Sequence, residues 1–368
     1  VLRIGFDGRA LASPAAGMRR YTRELFGTLA ADPTLEIVAV GPPSGPYLPV
    51  GIEAVPAAIS LPTNLGWNAT GLPRAAHRAR LDLFHAPSYT APIGGPRPLV
   101  VTIHDVSFER HPEWYPYKRD PLRRAFYRRS ALSADRIVTD SEFSKQEIVA
   151  AYGIAPDKID VVPLAAGPAF TQGPALPLDP RWPSSFVMHV GDLHARRNLV
   201  LAARALAALR ERRDEHRRCG LVLVGVDRGS GPELETINRH TRGDTPLVTF
   251  ADRADDTLLV ALYRSAAALV YPSRYEGFGL PLLEAMGCGT PVLAARSSSI
   301  PEVTGDAAVL LDPGDEAGWS AAIERVLDDK SHRESLRRAG IARASEFSWQ
   351  RTARETAAVY RRVLGRHA

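Results

Sequence analysis

Short runs that are apolar throughout alternate along this chain with stretches whose apolar residues recur at helical spacing. In the first half the strand candidates are Leu2–Phe6, Glu36–Val40, Leu81–His85, Leu99–His104, Arg136–Thr139 and Asp160–Val162. In the second half they are Phe186–Val190, Leu221–Val224, Leu247–Phe250, Ala267–Tyr271, Pro291–Ala294 and Ala308–Asp312. Runs of this length without polar alternation predict strands covered on both faces, and so parallel sheets between helix layers. Tyr21, Leu25, Phe26 and Leu29 form one such helical stripe. The two series are separated by Pro163–Ser185, which holds six prolines and no periodicity and reads as a linker. The expected fold is therefore α/β: two Rossmann-like, doubly wound domains in tandem, binding ligands outside the carboxyl ends of their strands.

A length of 368 residues suits two domains, and 45% hydrophobic with 24% charged residues excludes a disordered chain. No apolar stretch reaches 18 residues and no export signal opens the chain, so a cytoplasmic protein without membrane spans is expected. Cys219 and Cys288 lack metal-ligand spacing and are expected as free thiols in a reducing compartment. Charge alters this picture in one place. Lys118, Arg119, Arg123, Arg124, Arg128 and Arg129 fall within twelve residues against a single acid, Asp120. Such a helix suits weak docking on an anionic membrane, or is a solvated face of an Arg-rich chain. No nucleic-acid-binding signature accompanies it.

The most informative stretch runs from Tyr271 through Glu276-Gly277-Phe278-Gly279-Leu280-Pro281 to Glu284 and Pro291. A strand ends at Tyr271, a glycine loop follows, and Pro281 fits the first turn of a helix. Backbone donors from Gly277 to Leu280, backed by the positive end of that helix, suit a phosphate or sugar hydroxyls. Glu276 in the loop and Glu284, expected on the first helical turn, are placed to reach two ends of one elongated ligand.

This string resembles the Glu-x7-Glu signature of family 4 retaining glycosyltransferases of the GT-B fold. Other segments match in order: Ile4-Gly-Phe-Asp7-Gly-Arg9 with Gly17-Met-Arg-Arg20-Tyr21, Val101-Thr-Ile-His104-Asp105, Thr139-Asp140-Ser141-Glu-Phe-Ser144, Val190-Gly191 to Asn198, and Ser299-Ile-Pro301-Glu302. The resemblance implies two domains facing across a cleft. Residues 1–170 would form the acceptor-side domain and 171–349 the nucleotide-sugar domain, with a helix from about 350 to 368 crossing back to the first.

It further implies transfer of a hexosyl group from a nucleotide-diphosphate sugar to a hydroxyl of a glycan, lipid-linked or small-molecule acceptor. Anomeric configuration would be retained, with neither metal nor other cofactor. His104 and Glu276 would stand near the reaction centre. Gly17, Arg196, Arg197, Phe278, Gly279 and Leu280 would hold the diphosphate, and Glu284 the ribose. Three departures from the family pattern are Arg196-Arg197 in place of an Arg-Lys pair, Met18 in place of a second glycine, and Asp192 where some relatives have arginine. Pro112–Pro116 together with the His-Asp strand end is similar to mannosyltransferases of polysaccharide assembly, which makes GDP-mannose the first expectation for the donor. Competing expectations are a sugar-nucleotide-binding or scaffolding protein without transferase activity and a sugar-nucleotide epimerase. A nicotinamide oxidoreductase fails because no Gly-x-Gly-x-x-Gly with a following acid is present.

Overall fold

The computed structural model describes residues 1–41, 47–57, 63–115, 120–243 and 245–365. The chain divides into two units, residues 1–164 with 348–368, and residues 165–347. The boundary falls after Leu164, earlier than the expected division at 170/171, because the proline-rich segment is laid onto the second unit. Phe170 is buried and meets the Tyr263 ring edge-on at 5.9 Å, and Arg264 donates to the Thr171 carbonyl at 2.7 Å.

In the first unit the strands are β1 (Leu2–Asp7), β2 (Leu35–Val40), β3 (Glu53–Val55), β4 (Leu83–Ala86), β5 (Leu99–Thr102), β6 (Arg136–Thr139) and β7 (Ile159–Val161). They form one parallel sheet in the order β3-β2-β1-β4-β5-β6-β7. Every residue of β4 and β5 is buried, as strands covered on both faces must be. The Ala16–Leu29 helix buries Tyr21, Leu25, Phe26 and Leu29, and Phe26 stacks on Phe6 of β1 at 3.9 Å. The Trp349–Val363 helix, capped by Ser348, belongs to this unit: it buries Ala353, Ala357 and Tyr360, and Thr352 donates to the Pro163 carbonyl at 2.7 Å.

The second unit contains β8 (Ser185–Val190), β9 (Cys219–Val224), β10 (Val248–Ala251), β11 (Ala268–Tyr271), β12 (Val292–Ala295) and β13 (Val309–Leu311), parallel in the order β10-β9-β8-β11-β12-β13. Each sheet reverses its winding beside its first strand, at β1/β4 and at β8/β11. The carboxyl ends flanking such a reversal are where doubly wound sheets bind ligands. Both cysteines are buried free thiols. Among the described residues, no helix is long and apolar enough to cross a membrane.

Candidate active site

In the first unit, β5 delivers His104 just beyond its last residue, and the loop after β6 grips it. The Thr139 hydroxyl donates to the Ile103 carbonyl at 2.7 Å and the Ser144 hydroxyl to the His104 carbonyl at 3.0 Å. Ser141 caps the following helix, Glu142–Tyr152, by accepting from the Ser144 N–H. The Thr-x-Ser-x-x-Ser segment is thus a clamp on the histidine's backbone. Asp140 within it meets the His104 ring: Nδ1 lies 2.7 Å from Oδ2, with the carboxylate almost fully buried. Burial pushes the imidazole pKa down, but the Asp140 carboxylate and its hydrogen bond, aided by Asp105, outweigh it and leave His104 raised. Burial also raises Asp140 itself. Asp105 fixes the turn by accepting from the N–H and hydroxyl of Ser107.

At the β1/β4 reversal a cavity of about 220 Å³ is lined by Asp7, Arg9, Asn64, Tyr89 and Tyr127, among others. Arg9 is fixed there. Its guanidinium pairs with Asp7 at 2.9 Å, donates to Asn64 Oδ1 at 3.1 Å and lies 4.4 Å over the Trp67 ring. Trp67 in turn donates to Asp7 at 3.1 Å. Gly17 is exposed as the second residue of the Ala16–Leu29 helix, whose N-terminus has no side-chain cap.

In the second unit, the loops after β8 and β11 bring Arg197 and Glu276 together, 79 positions apart in sequence. Arg197 Nη1 forms an ion pair with Glu276 and donates to the Tyr271 hydroxyl, while its guanidinium carbon sits 5.5 Å above the Tyr271 ring. The arginine and glutamate side chains are only 13% and 5% exposed, so the pairing is largely sheltered from water. His189 also stacks on the Tyr271 ring, with centroids 5.1 Å apart. Gly191 is needed beneath: its φ is +136°, and a Cβ there would come within 3.2 Å of the Arg197 guanidinium. Arg196 is half-buried, and its carbonyl accepts from the Arg274 N–H at 2.8 Å, tying the two loops together. Asp192 pairs with Arg228 at 3.1 Å on the surface.

The Glu276 backbone is held on both sides. Its N–H donates to Ser298 Oγ at 2.9 Å, and Ser299 Oγ donates to its carbonyl at 2.9 Å and to that of Phe278 at 3.2 Å. Gly279, at φ +100°, turns the chain into the Leu280–Cys288 helix, which starts without a side-chain cap. Phe278 is buried against Phe347, and Leu280 is half-buried at the first helical position. Because the helix begins only after this left-handed glycine, Glu284 is its fifth residue and stands on the second turn, not the first. It is 4% exposed, and the Tyr263 hydroxyl donates to its Oε2 at 3.1 Å. Asp140, Tyr271 and Tyr263 were not expected from the sequence. Asp140 and Tyr271 had a signal, since they lie inside the matched Thr139–Ser144 and Tyr271–Pro291 segments; Tyr263, buried on a helix, had none.

His104, Arg197 and Glu276 all follow the carboxyl ends of strands in their own units. A larger hollow of about 880 Å³ in the second unit lies at the opposite ends, beside Ser185, Ala267 and Pro291. Among the described residues no group of three or more His, Cys, Asp or Glu gathers as metal ligands.

Comparison with known proteins agrees along the chain. Residues 181–343 match the family model of glycosyl transferases group 1, and residues 15–170 match that of glycosyltransferase family 4. The chain is 34% identical to the O-antigen chain mannosyltransferase B of Escherichia coli over 76% of its own length and 74% of that protein's. It is 32% identical to an MMP α-(1→4)-mannosyltransferase of Mycolicibacterium hassiacum, over 74% and 67% of the two chains. The fold is also that of a sucrose-phosphate synthase from Thermosynechococcus elongatus, with a TM-score of 0.78 over the whole of both chains at 21% identity. The chain belongs to glycosyltransferase family 4, and is a hexosyltransferase of the GT-B fold.

Proposed function

We propose that this enzyme transfers a mannosyl group from GDP-mannose to a hydroxyl of a glycan, lipid-linked or small-molecule acceptor, retaining anomeric configuration and using no metal ion. The observation that carries the reading is the sheltered Arg197–Glu276 pair beside a helix N-terminus, with Glu284 buried on the same helix. In this reading the donor diphosphate lies against Arg196, Arg197 and the amides from Phe278 to Leu280. Glu284 accepts from the ribose hydroxyls, since a carboxylate takes two donors side by side. The C1–oxygen bond to the diphosphate breaks, and charge developing on the leaving oxygen is met by the arginines and helix amides. The acceptor oxygen bonds to C1 from the same face and gives its proton to the departing phosphate. Glu276 and His104 stabilise the sugar during this exchange, and Glu276 forms no covalent intermediate.

The mannosyl assignment is supported by the names of two relatives more than 30% identical. The cavity beside Arg9 has room for one sugar residue of an acceptor. The Pro121–Ser133 helix gives the enzyme an anionic-membrane face on the cytoplasmic side. Arg123, Arg128 and Arg129 are exposed on it, with Leu122 73% and Leu132 49% exposed among them. Arg124 is engaged by Glu109, and Lys118 and Arg119 lie outside the described residues. A panel of sugar nucleotides screened by thermal shift tests the donor, since a ligand at 100 times its Kd adds about 2.7 kcal/mol. GDP-mannose is expected to raise Tm above the other donors. Stabilisation by a uridine diphosphate sugar alone would replace it.

A further inference from the structure

One chain of buried polar side chains in the first unit has no place in the roles assigned above. The Tyr360 hydroxyl lies 2.6 Å from His85 Nδ1, His85 Nε2 lies 2.7 Å from Thr102 Oγ1, and Thr102 Oγ1 lies 2.7 Å from the Tyr21 hydroxyl. These residues come from the C-terminal helix, β4, β5 and the first helix, and none is more than 2% exposed. At its end, the Tyr21 ring meets the His104 ring edge-on, with centroids 4.6 Å apart and planes at 86°.

Burial keeps every member neutral. It pushes the His85 pKa down to about 3 and raises both tyrosines well above their ordinary value. A neutral imidazole has one donor and one acceptor, so the hydrogen bonds are satisfied whether they run from Tyr360 to Tyr21 or the reverse. Four polar groups in a core are costly unless all are paired, and aliphatic side chains would fill this space without that demand. What the polar chain adds is direction, because it fixes where the Tyr21 ring stands.

We propose that Tyr21, His85 and Tyr360 are positioning residues for His104: the hydrogen-bonded chain fixes the Tyr21 ring, which holds the imidazole in plane against Asp140. Asp140 anchors the ring at Nδ1 and the Tyr21 edge blocks its rotation out of that contact. The C-terminal helix, 275 positions from His85, thereby reaches the end of β5 through Tyr360. The inference rests on the reading of His104 as a group at the reacting sugar.

The test follows the His104 ring in the full-length protein by NMR of labelled histidine, with its signal identified by loss in His104→Asn. The charged or titratable groups facing the ring are Asp140, Asp105, His85, Tyr21 and Tyr89. In Tyr21→Phe and Tyr360→Phe, a ring released from Asp140 should titrate about half a pH unit lower. Under the same conditions kcat should fall about three- to tenfold, with donor KM changed by less than about twofold. His85→Gln, which keeps a donor and an acceptor, should stay nearer to wild type than His85→Leu. Lowered thermal stability with an unchanged His104 midpoint would overturn the proposal, and so would a fall in kcat without movement of that midpoint. The NMR reading does not depend on turnover. If His104→Asn proves fully active, the catalytic reading of His104 falls, while the midpoint still decides the tether.

Discussion

His104 and Asp140 face each other across the ends of β5 and β6, Nδ1 to Oδ2 at 2.7 Å, with the aspartate 3% exposed and the histidine 15%. The carboxylate orients the ring and favours its protonated form. Asp140→Asn keeps the shape of this contact and removes its charge. The His104 titration midpoint should then fall, and kcat should drop about tenfold or more. A pH–rate profile of both forms checks this, and identical profiles would separate Asp140 from the reaction.

The Arg197–Glu276 pair makes a different kind of prediction, because each residue also neutralises the other. Removing one partner strands a sheltered charge, which costs about 3–5 kcal/mol in fully buried pairs and sets an upper bound here. Glu276→Gln and Arg197→Gln should each lower stability, and the double variant should lower it by less than their sum. Glu276→Gln should also impair turnover, and intact-protein mass spectrometry during turnover of the wild type should find no glycosyl-enzyme adduct. A trapped adduct on Glu276 would make it a nucleophile.

Two buried histidines set the acid side of the stability profile. Burial pushes both His85 and His189 down to about 3, from an ordinary value near 6.5. Below about pH 6.5 the unfolded chain therefore binds protons that the folded chain refuses, and stability falls as pH falls, by about 1.4 kcal/mol per pH unit for each histidine. His104 runs the other way: its raised value favours folding at low pH, and that contribution is lost as pH rises through its folded midpoint. Urea unfolding near pH 7 and near pH 5 should show the acid loss, with a shallower slope in His189→Gln. A slope unchanged in that variant would mean His189 is not a source.

Much of the fold was legible because parallel strands write themselves as apolar runs, and a twelve-strand pattern could be read on sight. β3 was not, since Glu53–Val55 is a three-residue edge strand with two exposed positions and no apolar run to mark it. Leu99–His104 read two residues too long because Ile103 still donates to the Val138 carbonyl after the strand has ended. For the site, the Glu276–Glu284 spacing and the His104 strand end carried the reading. Contacts between distant positions did not show. Nothing local in the sequence ties Arg197 to Glu276 or Tyr360 to His85, because those pairs exist only once the sheets have formed.

The basic helix yields a binding prediction. An arginine near an anionic bilayer is worth about 1 kcal/mol, screened by salt. Sedimentation with anionic vesicles at low salt should therefore pull down the wild type, and an Arg123/Arg128/Arg129→Gln variant much less. Arg124 is left alone, since its pairing with Glu109 serves the fold. Equal solubility of both proteins with such vesicles would leave the helix as a solvated face and the transferase assignment intact.

The most direct measurement is nucleotide release. A transferase of this design slowly hydrolyses its donor even without an acceptor, because the residues that stabilise the leaving diphosphate act on water as well. Incubation with GDP-mannose, with and without ethylenediaminetetraacetate, should release GDP at the same rate in both. Glu276→Gln and His104→Asn should release much less, while Glu284→Ala should need far more donor. No nucleotide release from any sugar nucleotide, despite a thermal shift showing that one binds, would contradict the assignment of these residues to transfer.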